Sequence, residues 1–232
     1  MSFYIHVKHK KTSCPNGCDL FNDTSKFSYW ESNETTHDEK YVVDYLNKDK
    51  MSIKKNFLHV GIGNSYVANK LSFYNKMDGV TLSSNEIDYA SILNINNYNL
   101  YFQNKYAKKN LFNKSLKCYD VIIDVNLKSF SCCDVAFNTL LDNYSKMLKK
   151  GGIIITSREG LKWSRMIKPV ISFSWNRLFY KRLKEFDGSI KNILNIEDCI
   201  KLCEKFSLNI DLSNKHLIIF KSNNDNEKDI NF

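Results

Sequence analysis

The stretch FLHVGIGNSYVANKL, residues 57–71, places Gly61 and Gly63 between a short apolar run and the first turns of an amphipathic segment. Glycine at both positions lets the backbone turn tightly and lets a ligand approach with no Cβ in the way. The helix start that follows leaves N–H groups without intrahelical partners. Two nucleotide-phosphate uses of such a turn are disfavoured. A dinucleotide fingerprint needs a third glycine where Tyr66 stands, and a phosphate loop needs Gly-Lys-Ser/Thr, which is missing. His59, just before the turn, is either a ligand contact or a strand-end histidine satisfied by backbone. Glu86, in Ser83-Ser84-Asn85-Glu86, either reaches a ligand or returns to the helix start as a capping box. Asp124 closes the run YDVIID and either faces a ligand or caps a surface helix.

Cysteine and arginine chemistry divides differently. Seven cysteines are an odd number in a chain too large to need staples, so reduced thiols are expected. Cys14 and Cys18 have ligand-like spacing, but no second close pair follows, and no metal is expected. Cys199 and Cys203 fall four apart with Ile196, Ile200 and Phe206, the pattern of core thiols on a helix. All four arginines, Arg158, Arg165, Arg177 and Arg182, lie in one window with Trp163, Phe173, Trp175, Phe179 and Tyr180. Such a mix can cover an apolar body and pair with a carboxylate or phosphate.

The elements that must position these residues alternate. NFLHV (56–60), DGVTLS (78–83), NLYFQ (99–103), YDVIIDV (119–125) and IIITS (153–157) read as strands, the fourth as buried on both faces. Between them SYVANKLSFY, NEIDYASIL and DVAFNTLLDNYSKMLKK read as helices, the last stopped by Gly151 and Gly152. DEKYVVDYLNKDK precedes them as a short helix, and LNIEDCIKLCEKFSL, NIDLS and HLIIFKS close the chain as a helix and two strands. This order predicts an α/β fold: a Rossmann-like, seven-stranded, mostly parallel sheet with helices on both faces and an antiparallel C-terminal hairpin. Ligands of such sheets sit beyond the C-terminal strand ends where strand order reverses, which is where GIGNS falls. The expected divisions are an N-terminal extension or cap over 1–38, a main domain over 39–222 with an insertion at 157–193, and a polar tail over 223–232.

At 232 residues, 43% hydrophobic, the chain can fill one core. Its longest apolar runs fall far short of the roughly 20 residues that span a bilayer. MSFYIHVKHKKTS has no apolar centre of the kind a signal peptide needs. A cytoplasmic protein is expected. The net charge of +9 is concentrated in the arginine window.

Several of these stretches together resemble the class I S-adenosylmethionine-dependent methyltransferases. LHVGIGNS is similar to the family's first strand and glycine turn, and GVTLSSNEIDYA resembles its second strand and helix, close to the Thr-Leu-Ser-x-Asn-Gln variant of the cyclopropane fatty acid synthase branch. YDVIID matches the fourth strand and MLKKGGIIITS the element before the fifth. The resemblance spans about residues 40–221. It implies S-adenosylmethionine as cofactor, held by His59, Gly61, Gly63, Asn64, Ser65, Thr81, Leu82, Glu86 and Asp124. His59, Ser65 and Thr81 stand where the family usually has an acid, a glycine and a second acid. The resemblance implies methyl transfer, with catalytic residues unassigned.

Nucleic-acid bases are disfavoured as acceptors, because the motifs of amino- and carbon-directed base methylation are missing. A small, anionic acceptor is expected, with Arg158, Trp163 and Arg165 as its contacts. The insertion reads alternatively as a lid, as an amphipathic segment on anionic lipid, or as a solvated face with buried aromatics. A non-catalytic binding or scaffold protein and a lipid-modifying enzyme remain the competing functions.

Overall fold

The computed structural model describes residues 4–6, 27–48, 53–106, 118–129, 131, 133–162, 165–166, 189–190 and 193–223. Cys14 and Cys18, the insertion's aromatics and the tail beyond Asn223 lie outside these residues.

The strands are β1 (Tyr4–His6), β2 (Asn56–Val60), β3 (Lys76–Thr81), β4 (Tyr98–Phe102), β5 (Tyr119–Ile123), β6 (Leu148–Ser157), β7 (Arg165–Met166), β8 (Ser189–Ile190), β9 (Leu208–Asp211) and β10 (Leu217–Ser222). The helices are α1 (Ser28–Ser32), α2 (His37–Lys48), α3 (Tyr66–Leu71), α4 (Ser84–Ile92), α5 (Asp134–Met147) and α6 (Ile196–Phe206). Eight strands form one sheet in the order β1-β4-β3-β2-β5-β6-β10-β9. It is parallel except at β10, which runs antiparallel to both β6 and β9. The seven expected strands are all present, and β1 adds an eighth by pairing with Leu100–Phe102 of β4. The chain builds outward from β2 through β3 to β4, then returns to β5 on the other side of β2. The order therefore reverses between β2 and β5, beside the Gly61–Gly63 turn.

The central strands are buried on both faces because each side chain row meets a helix layer. Leu58, Val60, Ile122 and Ile154 pack with Phe137, Leu140 and Tyr144 of α5 and with Cys199 and Cys203 of α6. Phe57, Met77, Val121 and Ile155 pack on the opposite face with α2, α3 and α4, through Val42, Leu46, Val67, Leu71, Ile87 and Ala90. Cys199 and Cys203 are core thiols, whereas Ile200 is exposed.

Two boundaries differ from expectation for local reasons. Helix α3 stops at Leu71 because the Asn75 amide donates to the Leu71 carbonyl at 2.6 Å, while its oxygen accepts from Lys55 N. Phe73 and Tyr74 are left exposed. Helix α5 ends at Met147, and β6 begins at Leu148 with no intervening loop. Gly151 and Gly152 therefore do not stop a helix. They lie inside β6, where its register against β5 shifts between Tyr119 and Val121; Gly151 has φ +69°, and a Cβ on Gly152 would crowd the Lys149 carbonyl.

Candidate functional site

The C-terminal ends of β2, β3, β4 and β5 open onto one cleft. Val60, Gly61 and Gly63 line it from β2 and its turn, and Val80, Thr81, Leu82, Ser83 and Glu86 from β3 and the start of α4. Gln103, Asn104, Lys105 and Tyr106 follow β4; Asp124, Val125, Asn126 and Ser129 follow β5. Trp30 of α1 covers it.

The turn itself takes left-handed backbone at three places: Gly61 at φ +76°, Gly63 at +51° and Ser65 at +62°. Such angles favour glycine, and Ser65 adopts one without being glycine. Gly61 N–H donates to the Val80 carbonyl at 2.8 Å, and a Cβ added there would meet nothing within 4 Å. Space at this point is therefore open to a ligand. At Gly63 a Cβ would collide with the Trp30 indole, 2.6 Å from Cζ2.

Glu86 reaches across from α4. Its Oε2 accepts from Gly63 N at 3.2 Å and from the Thr81 hydroxyl at 2.6 Å. Ser83 caps α4 by accepting from Glu86 N, but Ser83 N donates to the Thr81 hydroxyl oxygen. The carboxylate is thus held at the mouth of the cleft, between the ends of β2 and β3.

Asp124 is buried and has no helix-capping duty. It accepts from Lys105 Nζ at 2.9 and 3.1 Å and from the Tyr144 hydroxyl at 2.9 Å. The same ammonium donates to the carbonyls of Asn126 and Leu127 and to Ser129 Oγ. Burial pushes the Lys105 pKa down and the Asp124 pKa up, each opposed by the other's charge. Either way the pair adds no net charge to the cleft. Glu86 adds a further carboxylate to the lining.

Of the residues singled out in the sequence, Gly61, Gly63, Thr81, Leu82, Glu86 and Asp124 meet in this cleft. Three others do not line it. His59 points to the opposite face of the sheet, beneath α2, with Nε2 3.8 Å from Glu39 Oε1 and neither ring nitrogen hydrogen-bonded. Burial lowers its pKa to about 4, so the contact is that of a neutral imidazole and not an ion pair. Ser65 is buried under the turn, 3.4 Å from the Tyr98 hydroxyl. Asn64 turns outward, its amide donating to the Asn33 and Glu34 carbonyls at 3.2 and 2.6 Å.

Arg158 lies apart from the cleft, its guanidinium bound to the carbonyls of Leu212 and Asn214 at the β9–β10 turn. Only the backbone of Arg165 is described, in the short pair β7–β8, and Trp163 lies outside the described residues. Sequence reasoning missed Gln103, Asn104, Lys105 and Trp30. The first three follow a parallel strand's C-terminal end, which alone would have nominated them. Nothing in the order of residues pointed to Trp30.

No protein-family model and no curated protein sequence matches the chain. Solved structures do. An S-adenosylmethionine-bound amino pentose methyltransferase from Micromonospora echinaspora superposes with a TM-score of 0.55 at 9% identity, covering 87% of this chain and 98% of that one. The N-methyltransferase NodS from Bradyrhizobium japonicum WM9, in complex with S-adenosyl-L-homocysteine, gives 0.54 at 12%, covering 85% and 96%. This is the fold of a class I methyltransferase. A possible exported protein from Bordetella parapertussis also matches, with a TM-score of 0.52 at 14% identity; 79% of this chain is covered, and it spans 66% of that protein. At such identities the likeness is one of fold, and the methyltransferase fold is here supplied with a cleft in the position the strand order demands. No helix among the described residues is long and apolar enough to cross a membrane.

Proposed function

We propose that the chain binds S-adenosylmethionine in this cleft and transfers its methyl group to a small, anionic acceptor in the cytoplasm. The open space over Gly61, faced by the Glu86 carboxylate, carries the reading. The residues suit such a ligand. Glu86 and Thr81 present oxygen acceptors to hydroxyl or ammonium donors, Gly61 leaves room for close approach, and Asn104 and Gln103 offer amides at the β4 end. The cofactor supplies a methyl group already activated on a sulfonium, so the protein's task is alignment more than covalent help. Glu86 braces the glycine turn through Gly63 N, and Lys105 knits the loop after β5 through Asp124, Asn126, Leu127 and Ser129. The Glu86 carboxylate beside the turn suits a ligand carrying a positive charge.

Calorimetric titration with S-adenosylmethionine and S-adenosylhomocysteine tests the reading. Heat of binding and a raised Tm are expected. Absence of both at millimolar ligand overturns it in favour of a non-catalytic protein of the same fold. Gly61→Val is expected to abolish binding, because its side chain enters the open space and its backbone resists φ +76°; retained affinity would put the ligand elsewhere.

A further inference from the structure

We infer that Trp30 is a specificity-determining residue that favours the sulfonium form of the cofactor over its neutral thioether product. The inference rests on the reading of the cleft as the cofactor site.

Trp30 reaches the cleft from α1, 33 positions before Gly63 in the sequence. The benzene half of its indole lies against the turn, where a Cβ on Gly63 would fall 2.6 Å from Cζ2 and 2.8 Å from Cη2. Gly63 therefore makes room for the indole, while Gly61 next to it leaves space that no protein atom fills. The indole is held by the turn it covers: Asn64 ties the connection between α1 and α2 through the Asn33 and Glu34 carbonyls. Tyr29 stands edge-on to it, ring centroids 4.9 Å apart at 87°. Glu86 contributes a carboxylate to the same cleft, bound to Gly63 N.

A ligand laid along the turn thus has a tryptophan and a carboxylate among its neighbours. Both attract a cation, the indole through its ring quadrupole, and tryptophan is the best of the aromatic side chains for this. The neutral thioether sulfur of the product receives neither attraction, while the α-ammonium is common to both ligands and does not discriminate between them. Methyl transfer removes the positive charge from sulfur, so the same two groups that retain the cofactor loosen their hold on the product.

Titration calorimetry of wild type, Trp30→Phe and Trp30→Leu with both ligands tests this, with thermal melting to verify folding and tryptophan fluorescence as a second readout. Wild type is expected to bind S-adenosylmethionine more tightly than S-adenosylhomocysteine and to show quenching with each. Trp30→Leu should weaken S-adenosylmethionine roughly tenfold, the size of a partly desolvated cation–π contact, leave the thioether nearly unchanged and remove most of the quenching; Trp30→Phe should fall between. Equal weakening of both ligands would make Trp30 a mere wall, and no weakening would remove it from the site; either overturns the inference while leaving the cofactor reading intact. Binding of neither ligand by wild type would overturn both.

Discussion

Lys105 sets the character of the cleft's far wall. An ammonium buried beside a carboxylate is worth little if both could be replaced by apolar groups, but removing one partner strands the other. Here Lys105 also satisfies the Asn126 and Leu127 carbonyls and Ser129 Oγ, so the loop after β5 loses several partners at once. Lys105→Met is expected to destabilise the fold by about 3–5 kcal/mol, the range for a broken buried pair. Lys105→Met with Asp124→Asn should cost much less than the sum of the single changes, because the neutral amide no longer needs a counter-charge and can still accept from Tyr144. Urea denaturation of the four proteins measures the coupling, and simple additivity would refute it.

The packing of α2 on β2 is an element-scale matter that turns on His59 and Glu39. Thr36 caps α2 by accepting from Glu39 N at 3.2 Å, and the Glu39 carboxylate accepts from both Thr35 and Thr36. Its other oxygen faces His59 from 3.8 Å. Burial holds His59 neutral in the folded protein, with its pKa near 4 against an ordinary value of 6.5. Between pH 6.5 and 4 the unfolded chain therefore binds a proton that the folded chain refuses, and stability drops as pH falls through that window. Burial raises the Glu39 pKa, which acts in the opposite sense: that contribution is present at low pH and fades as pH rises above 4.5. The two are separated by comparison. His59→Leu should flatten the loss of stability between pH 7 and pH 5 by about 2 kcal/mol, since two and a half pKa units correspond to about 3 kcal/mol once the whole window is crossed. An unchanged slope would mean that His59 takes up its proton in the folded protein at the same pH as in the unfolded chain.

At the scale of the whole molecule, two helix layers seal the sheet, and the buried thiols report on that seal. Cys199 and Cys203 sit on α6 against the α5 face of the sheet, and burial pushes their thiols up to about 12 and about 11. A thiol so far from ionisation reacts only when the surrounding structure opens. Iodoacetamide should therefore spare both in the native protein and label them at a rate that follows global unfolding in urea, as read by mass spectrometry. Fast native labelling would mean that α6 detaches on its own. The same layered arrangement explains why the cleft lies where it does: helices cover both faces, so the strand ends are what the sheet leaves open.

How much of this was legible in the residue order depends on the range of the interaction. Periodicity acts over a few residues, and the apolar runs from NFLHV to HLIIFKS named seven of the eight strands of the sheet, β1 excepted, while the alternation with helices named its parallel sense. The same local signal located the glycine turn and placed Glu86 and Asp124 near strand ends. It erred at Gly151 and Gly152, where pairing of Leu148 with Tyr119 drew the chain into a strand that a glycine pair would ordinarily precede. The direction in which a side chain leaves its strand was a different matter. His59 and Val60 are neighbours, yet one meets α2 and the other the cleft, and only the layer packed on each face decides which. Trp30 over Gly63, and Lys105 on Asp124, join residues far apart in sequence, and such contacts follow from strand order and not from any pattern within a segment. The sequence by itself determined the seven strands from β2 onward in the main sheet, the helices between them and the turn that a ligand would need. Tertiary structure decided what faces that turn, because it alone brings distant segments to the same end of the sheet.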